Sequence, residues 1–231
     1  MIKLLPLLLM LAYGFALWRF SAWQLGRQLD ANSRPLIDPR LTPVFARLAR
    51  ALDLPALRVH IYETEPINGL AAPDGRIFLT RGFLRALDTG QVTPDELGAV
   101  VAHELGHVAL GHARRRMIDF TGQNALRIVL ASVLGRFLPG IGVWIANLAA
   151  TALAARLSRQ DEYEADAWAS ALLLKAGLGT APQKALFLRL ERLTGAPGAG
   201  MPAWILSHPK SADRIAAIEA HEARWNAPKR D

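Results

Sequence analysis

His103, Glu104 and His107 stand within five residues, in the order His-Glu-Leu-Gly-His. On a helix, residues four apart share one face, so the two imidazoles project from the same side, with about 6 Å of rise between them, and can reach one ion. Glu104 points about 100° away from His103, beside the ion and not onto it, where a carboxylate can take a proton from a metal-activated water. Val100, Val101, Ala102, Leu105 and Val108 make the surrounding segment apolar nearly all round, which predicts a buried helix. Buried His and Glu side by side need partners, and a cation supplies them.

Two protein ligands do not complete a catalytic zinc site, which takes three and leaves its fourth position to water. A third histidine at position 113 with glycine at 110 would extend the motif along the same helix, but the chain has Leu110 and Ala113. His112 falls about 180° round from His103 and reads as a histidine at the helix end. A later helix offers a carboxylate in the run from Ser158 to Asp166. Glu162 and Asp166 are four apart on one face, so Glu162 can ligate while Asp166 accepts the second N–H of a ligating histidine. Asp161 and Glu164 point elsewhere and read as solvated charge.

With these residues in hand the sequence resembles the HtpX-like and CAAX-prenyl-protease-like zinc metallopeptidases, family forty-eight of the metallopeptidases, within the gluzincins. The resemblance is carried by His103 to His107, by Ser158-Arg159 with Glu162, Ala165 and Asp166, by Asn68, and by Ser207-His208-Pro209 with Arg214-Ile215, and it runs from about Thr42 to Ala220. It implies a zincin-like fold and membrane-linked endopeptidase activity on polypeptide substrates, in the setting of quality control of membrane or misfolded proteins. It also implies one zinc ion held by His103, His107 and Glu162. Asn68 and Gly69 would lie in a strand to which an extended substrate adds by main-chain hydrogen bonds. His208 would donate to the oxyanion of the tetrahedral intermediate or occupy the open zinc position in a resting state, a plain loop histidine being the alternative. Arg214 would pair with a buried acid. The departure is at Asn68-Gly69-Leu70-Ala71, where the family usually shows Asn-Ala-aromatic-Ala.

The elements that must position these residues are marked locally. Thr93-Pro94-Asp95-Glu96 is a capping box with proline inside it, so a helix starts there and is expected to run through His112. Thr42 as N-cap and Pro43 at the first helical position open another helix, with Phe45, Leu48 and Leu52 as its apolar stripe. Val59 and Ile61 alternate with His60 and Tyr62, Asn68 to Ala72 is a second strand, and Pro73-Asp74-Gly75 turns into Ile77-Phe78-Leu79-Thr80. A small sheet beside a mostly helical domain follows.

The 231 residues are 52% hydrophobic and 20% charged, with no cysteine. That composition excludes a disordered chain, a disulfide framework, a thiolate zinc finger and a cysteine nucleophile. The net charge of +7 comes from dispersed Lys and Arg without aromatic interleaving, so no nucleic-acid partner is expected. The oligomeric state is not legible.

Leu4 to Trp18 are 15 uncharged, mostly apolar positions, resumed after Arg19 as far as Leu25. With Arg19 snorkelling toward headgroups this reads as a single N-terminal membrane anchor, with a cleaved signal segment as the competing reading. Arg19, Arg27 and Arg34 outweigh Lys3, which puts the catalytic domain on the cytoplasmic face. Phe137 to Ala155 is a second uncharged stretch, but ligands on both sides of it must meet on one ion, so an odd number of crossings is forbidden. A helical hairpin hinged at Pro139-Gly140, packed on the domain or lying in the membrane interface, meets that condition.

The expected architecture is therefore α+β, mostly α: a zincin-like metallopeptidase domain with a small β-sheet, preceded by an N-terminal membrane helix. The expected divisions are an anchor at 1–28, a linker at 29–41, the metallopeptidase domain at 42–226 with an inserted apolar hairpin at 124–156, and a polar tail at 227–231. The lipid bilayer is the expected partner beside polypeptides. The rival reading is a membrane-tethered, chaperone-like binding protein with a structural zinc site, against which stands the retention of Glu104 beside a three-ligand set, since structural sites are closed by four protein ligands.

Overall fold

The computed structural model describes residues 5–72, 74–139, 141–194 and 211–225. In chain order these form α1 (Leu5–Ala31), β1 (Ser33–Pro35), α2 (Thr42–Ala51), β2 (Val59–Tyr62), β3 (Gly69–Ala71), β4 (Ile77–Thr80), α3 (Arg81–Asp88), α4 (Pro94–Ala109), α5 (His112–Phe137), α6 (Gly142–Lys175), α7 (Ala181–Thr194) and α8 (Ser211–Trp225). The α+β, mostly helical architecture with a small mixed sheet is present.

The sheet runs in the order β1-β2-β4-β3. β1 pairs antiparallel with β2, β2 parallel with β4, and β3 antiparallel with β4, with Gly69 opposite Leu79 and Ala71 opposite Ile77. β1 lies inside the segment expected as linker. β4 is buried at all four positions, which is why its sequence is an unbroken apolar run and not an alternating one. Ile77 and Leu79 face the main core, together with Leu48 of α2, Phe83 of α3, Leu97, Val100 and Val101 of α4, Leu173 of α6, and Leu186 and Phe187 of α7. Phe78 faces the other way and packs with Ala72 and with Leu29 from the last turn of α1.

That last turn bears on the N-terminal segment. Among the described residues no helix is long and apolar enough to cross a membrane. This overturns the N-terminal membrane helix and, with it, the single-anchor localisation and its cytoplasmic orientation, the lipid bilayer as partner, and the membrane-associated character of both the activity and its rival reading. The physical reason is in the residues: 15 uncharged positions rise only about 22 Å as a helix, against a hydrocarbon core of roughly 30 Å. Continuing the helix to that length brings in Arg19, and beyond Trp23 α1 carries Gln24, Arg27 and Gln28. Its end is instead fastened to the sheet, by Leu29 in the apolar cluster and by Asp30 paired with Arg76 at 2.6 Å.

α5 and α6 pack along one another; Gly140, at the expected hinge, lies outside the described residues. At the start of α6 a Cβ on Gly142 would lie 2.3 Å from the Leu134 carbonyl, so only glycine allows the two helices to approach there. The second half of α6 then continues without a break into the core, where Ala165, Ala169 and Leu173 are buried.

Two boundaries differ from expectation. α2 begins at Thr42 with Leu41 as its N-cap, and the Thr42 hydroxyl donates back to the Asp38 carbonyl at 2.9 Å. α4 ends at Ala109 and does not reach His112, because Gly111 takes a left-handed conformation at φ 66° and restarts the chain as α5. Val108, expected on a buried face, is exposed where α4 emerges from the core.

At the other end of α4 the capping box is complete. The Glu96 amide donates to Thr93 Oγ1 at 3.2 Å, and the Thr93 amide donates to Glu96 Oε2 at 2.7 Å. Glu96 is 2% exposed, and its second oxygen accepts from Arg189 Nε of α7 at 2.6 Å, so the cap also ties two helices together. Thr93→Ala should therefore cost about 1 kcal/mol and lower the thermal midpoint by about 2–4 °C, read by calorimetry. An unchanged midpoint would show that the cap does not hold the helix.

Candidate metal centre

α4 presents His103 and His107 one turn apart, and their Nε2 atoms lie 3.1 Å from each other. Glu162 of α6 faces both: Oε2 is 3.3 Å from His103 Nε2, and Oε1 is 3.4 Å from His107 Nε2. Glu162 and His103 are 1% and 2% exposed. The three residues form a group able to hold a metal ion. A tetrahedral zinc with bonds of about 2.0–2.2 Å separates its ligand atoms by about 3.3–3.6 Å; each imidazole stands at about that spacing from one oxygen of the Glu162 carboxylate, and one ligand atom from each residue lies within 4.8 Å of the other two. The donor set of two imidazoles and one carboxylate also suits zinc.

The approach of the two helices rests on two small residues. A Cβ on Gly106 would lie 3.0 Å from the Ala165 carbonyl oxygen and 3.2 Å from Ala165 Cα, so Gly106 lets the backbone of α6 lie directly against α4. Glu162, one turn before Ala165, then reaches the histidine face.

Behind His103 sits a second layer. His103 Nδ1 is 2.9 Å from Asp166 Oδ1, and Arg214 of α8 grips the same carboxylate through Nε to Oδ2 and Nη2 to Oδ1, both at 2.6 Å. Arg214 is 1% exposed, and its guanidinium lies over the Phe187 ring, 4.1 Å from the centroid. Gln183 of α7 donates to the Asp166 main-chain oxygen at 3.2 Å and accepts from Ser170 at 2.7 Å. α8 is held in place by Glu222, bonded to Thr180 and paired with Lys184.

The electrostatics follow from these contacts. Burial alone would lower the His103 pKa, but the hydrogen bonds to Asp166 and Glu162 outweigh it and push the group up to about 9. The two imidazoles and the carboxylate thus favour a positive charge between them, as a proton or as a metal ion. Burial would raise Asp166, yet the charge and hydrogen bonds of Arg214 hold it below the usual carboxylate range. His107 and His112 are both lowered by burial, only partly offset by neighbouring carboxylates, and so favour neutral rings.

Glu104 is buried, on α4 next to His103, and lies against the sheet at Gly69. A Cβ on Gly69 would lie 2.7 Å from Val100 Cγ1 and 3.4 Å from Glu104 Oε1, so β3 passes α4 at a distance where alanine would crowd the Val100 side chain. This gives the departure from alanine at position 69 a physical reason. Asn68, just before β3, donates its amide to Thr80 Oγ1 at 3.0 Å, and its Oδ1 is buried with no hydrogen-bond partner among the described residues.

The sequence reasoning placed three residues differently from the structure. His112 is not the end of the motif helix but the first residue of α5, 1% exposed, with Nδ1 only 2.8 Å from His107 Nδ1. Asp161, expected as solvated charge, is 3% exposed, and Glu164 is half-buried; both face Arg115. The signal that could have found them is Gly111, which ends α4 and lets His112 fold back beside His107. His208, with Ser207 and Pro209, lies outside the described residues.

Comparison with known proteins adds an independent finding. The model of Peptidase family M48 matches residues 35–222 of this chain. The chain is 29% identical over 179 residues to metalloprotease LoiP of Escherichia coli K12, covering 78% of this chain and 68% of LoiP. It is 31% identical over 234 residues to a protease HtpX homolog of Chlorobium phaeovibrioides, covering 87% and 78%. With metalloprotease YcaL of Escherichia coli K12 it shares 27% over 179 residues, covering 78% and 67%.

Two glycines test this geometry. Gly106→Val should overpack the α4–α6 contact and Gly69→Ala the α4–β3 contact, each costing about 1–3 kcal/mol, read as a lower urea midpoint at an unchanged m value. Gly106→Val should in addition weaken metal binding, because it displaces the turn that carries Glu162. Full stability in either variant would contradict the close approach described.

Proposed function

The chain belongs to peptidase family M48 and is a zinc-dependent peptide hydrolase; from that premise we propose that His103, His107 and Glu162 hold a single zinc ion and that Glu104 is the general base for hydrolysis of peptide bonds in polypeptide substrates. The observation that carries the reading is the convergence of His103 Nε2, His107 Nε2 and the Glu162 carboxylate within reach of one ion, with the buried Glu104 next to His103 on the same helix. Bound zinc supplies Lewis acidity, polarising a carbonyl oxygen and lowering the pKa of a water to about 7.

The chain's own residues do the rest. Glu104 accepts a proton from the attacking water as the water oxygen bonds to the peptide carbonyl carbon. It returns that proton to the amide nitrogen as the C–N bond breaks, and the new carboxyl group gives up its remaining proton to the amine, leaving a carboxylate and an ammonium. Asp166, gripped by Arg214, accepts the His103 Nδ1–H and so keeps the lone pair of Nε2 turned toward the ion. β3 is the last strand in the sheet, and it runs past Glu104 at Gly69. An extended substrate adding to the outer side of β3 by main-chain hydrogen bonds would lay its scissile bond beside Glu104, a role in which Asn68 and Gly69 position substrate. His208 stays a candidate oxyanion donor in this scheme.

Glu104→Gln should retain zinc and fold while activity on an unstructured protein substrate falls at least about 10²-fold. His103→Ala, His107→Ala or Glu162→Ala should instead lose the metal, measured as zinc stoichiometry after dialysis. Near-wild-type proteolysis by Glu104→Gln would end the mechanism, and stoichiometric zinc in Glu162→Ala would show that the third ligand lies elsewhere.

A further inference from the structure

The two histidines of the site are backed in different ways. His103 donates directly to a carboxylate, Asp166, which an arginine holds. Behind His107 there is an imidazole: its Nδ1 is 2.8 Å from Nδ1 of His112. On its far side His112 Nε2 lies 3.4 Å from Glu164 Oε2 and 3.9 Å from Asp161 Oδ1. Arg115 Nη1 then bridges both acids, at 2.6 Å to Glu164 and 3.3 Å to Asp161, and Gln160 donates to the other Glu164 oxygen at 3.0 Å.

A contact of 2.8 Å between two ring nitrogens needs one donor and one acceptor. On the zinc reading above, which this argument takes as its premise, the lone pair of His107 Nε2 is directed at the ion, so the ring proton of neutral His107 sits on Nδ1. His107 then donates and His112 Nδ1 accepts. The proton of neutral His112 is therefore on Nε2, aimed at the two carboxylates. The bonds run in one direction from His107 to the acids, and a guanidinium donates to those acids from the other side, as Arg214 does to Asp166.

His112, Asp161 and Glu164 are also close enough together to hold an ion. The positive charge there is already supplied by Arg115, and the His112 nitrogen that faces the acids carries a proton in this row. The cluster is thus an anchor for His112 and not a second cation site.

We infer that His112 is a positioning residue that fixes the tautomer and ring orientation of His107 through an Nδ1–H to Nδ1 hydrogen bond, with Asp161, Glu164 and Arg115 holding His112 in turn. It does not touch substrate or the ion; it acts through His107. Partners of this kind, one bond removed from the ion, typically set metal affinity by about 10- to 100-fold.

The test compares the full chain with His112→Ala and His112→Asn, the second chosen because the Asn side-chain oxygen can take the place of Nδ1 as acceptor. Zinc affinity is measured by chelator competition, and the visible spectrum is recorded on the cobalt-substituted proteins. His112→Ala should weaken zinc binding about 10- to 100-fold and shift the cobalt spectrum, while His112→Asn restores most of the affinity and the wild-type spectrum. Unchanged affinity in His112→Ala, or equal loss in both variants, would overturn the inference. A measurement that needs no variant is nitrogen NMR of the zinc-loaded wild type with labelled histidine. It should show His112 protonated on Nε2 only and His107 on Nδ1 only, and the opposite tautomer of His112 would refute the row. If the wild type itself binds no zinc, the zinc reading fails, whereas zinc binding that His112→Ala leaves untouched defeats this inference alone.

Discussion

The contact between α4 and α6 at Gly106 and Ala165 is the constraint on which the site depends. Three ligand atoms from two helices must come within about 3.5 Å of one another, and no side-chain adjustment can provide that if the backbones stand at an ordinary packing distance of 8–10 Å set by larger residues. Gly106 removes the side chain from one wall, and Ala165 keeps the other small. The glycine within the His-Glu-Leu-Gly-His motif is thus a packing residue, as much a requirement of the metal centre as the histidines on either side of it.

Close approach brings charge into the core, and the fold is built around neutralising it. Glu162, Asp166, Asp161 and Arg214 are each at most 3% exposed. Removing one partner of a buried ion pair costs about 3–5 kcal/mol, because the survivor is left unpaired in low dielectric. Asp166 with Arg214 is such a pair, and it can form only once α8 has docked over α7 and brought Arg214 onto the Phe187 ring. The C-terminal part of the fold is in this way tied energetically to His103 on α4, more than a hundred residues earlier in the chain.

The sheet contributes by another route. Burial of β4 on both faces fixes the level of β3, and β3 at Gly69 then meets α4 at Val100 and Glu104. Leu29 closes the outer face of β4, so the end of α1 belongs to the support of the sheet. The same residues explain why an apolar N-terminal segment does not satisfy the requirements of a membrane span: its last two turns carry the polar and packing contacts that a folded domain uses.

Where the signal was local, it was legible in the sequence. The capping box at Thr93 set the start of α4, the four-residue spacing set the common face of His103 and His107, the alternation around Val59 and Ile61 marked β2, and Asp74-Gly75 marked the turn before β4. These depend on backbone sterics and helix geometry within a few residues. The spacing of Glu162 and Asp166 defined one helix face, and the structure brings that face to the two histidines. What only the tertiary structure decided were relations across the chain. Arg115 lies 46 residues from Asp161, and their pairing turned two acids that read as surface charge into the anchor of His112. A positive φ at Gly111 moved His112 from the end of one helix to the start of the next, beside His107. The hydropathy of the first residues suggested a span, but it did not contain the docking of the end of α1 on the sheet, where Ala72 and Phe78 take up Leu29. A side chain's exposure is a property of the packed whole, so sequence spacing alone did not contain it.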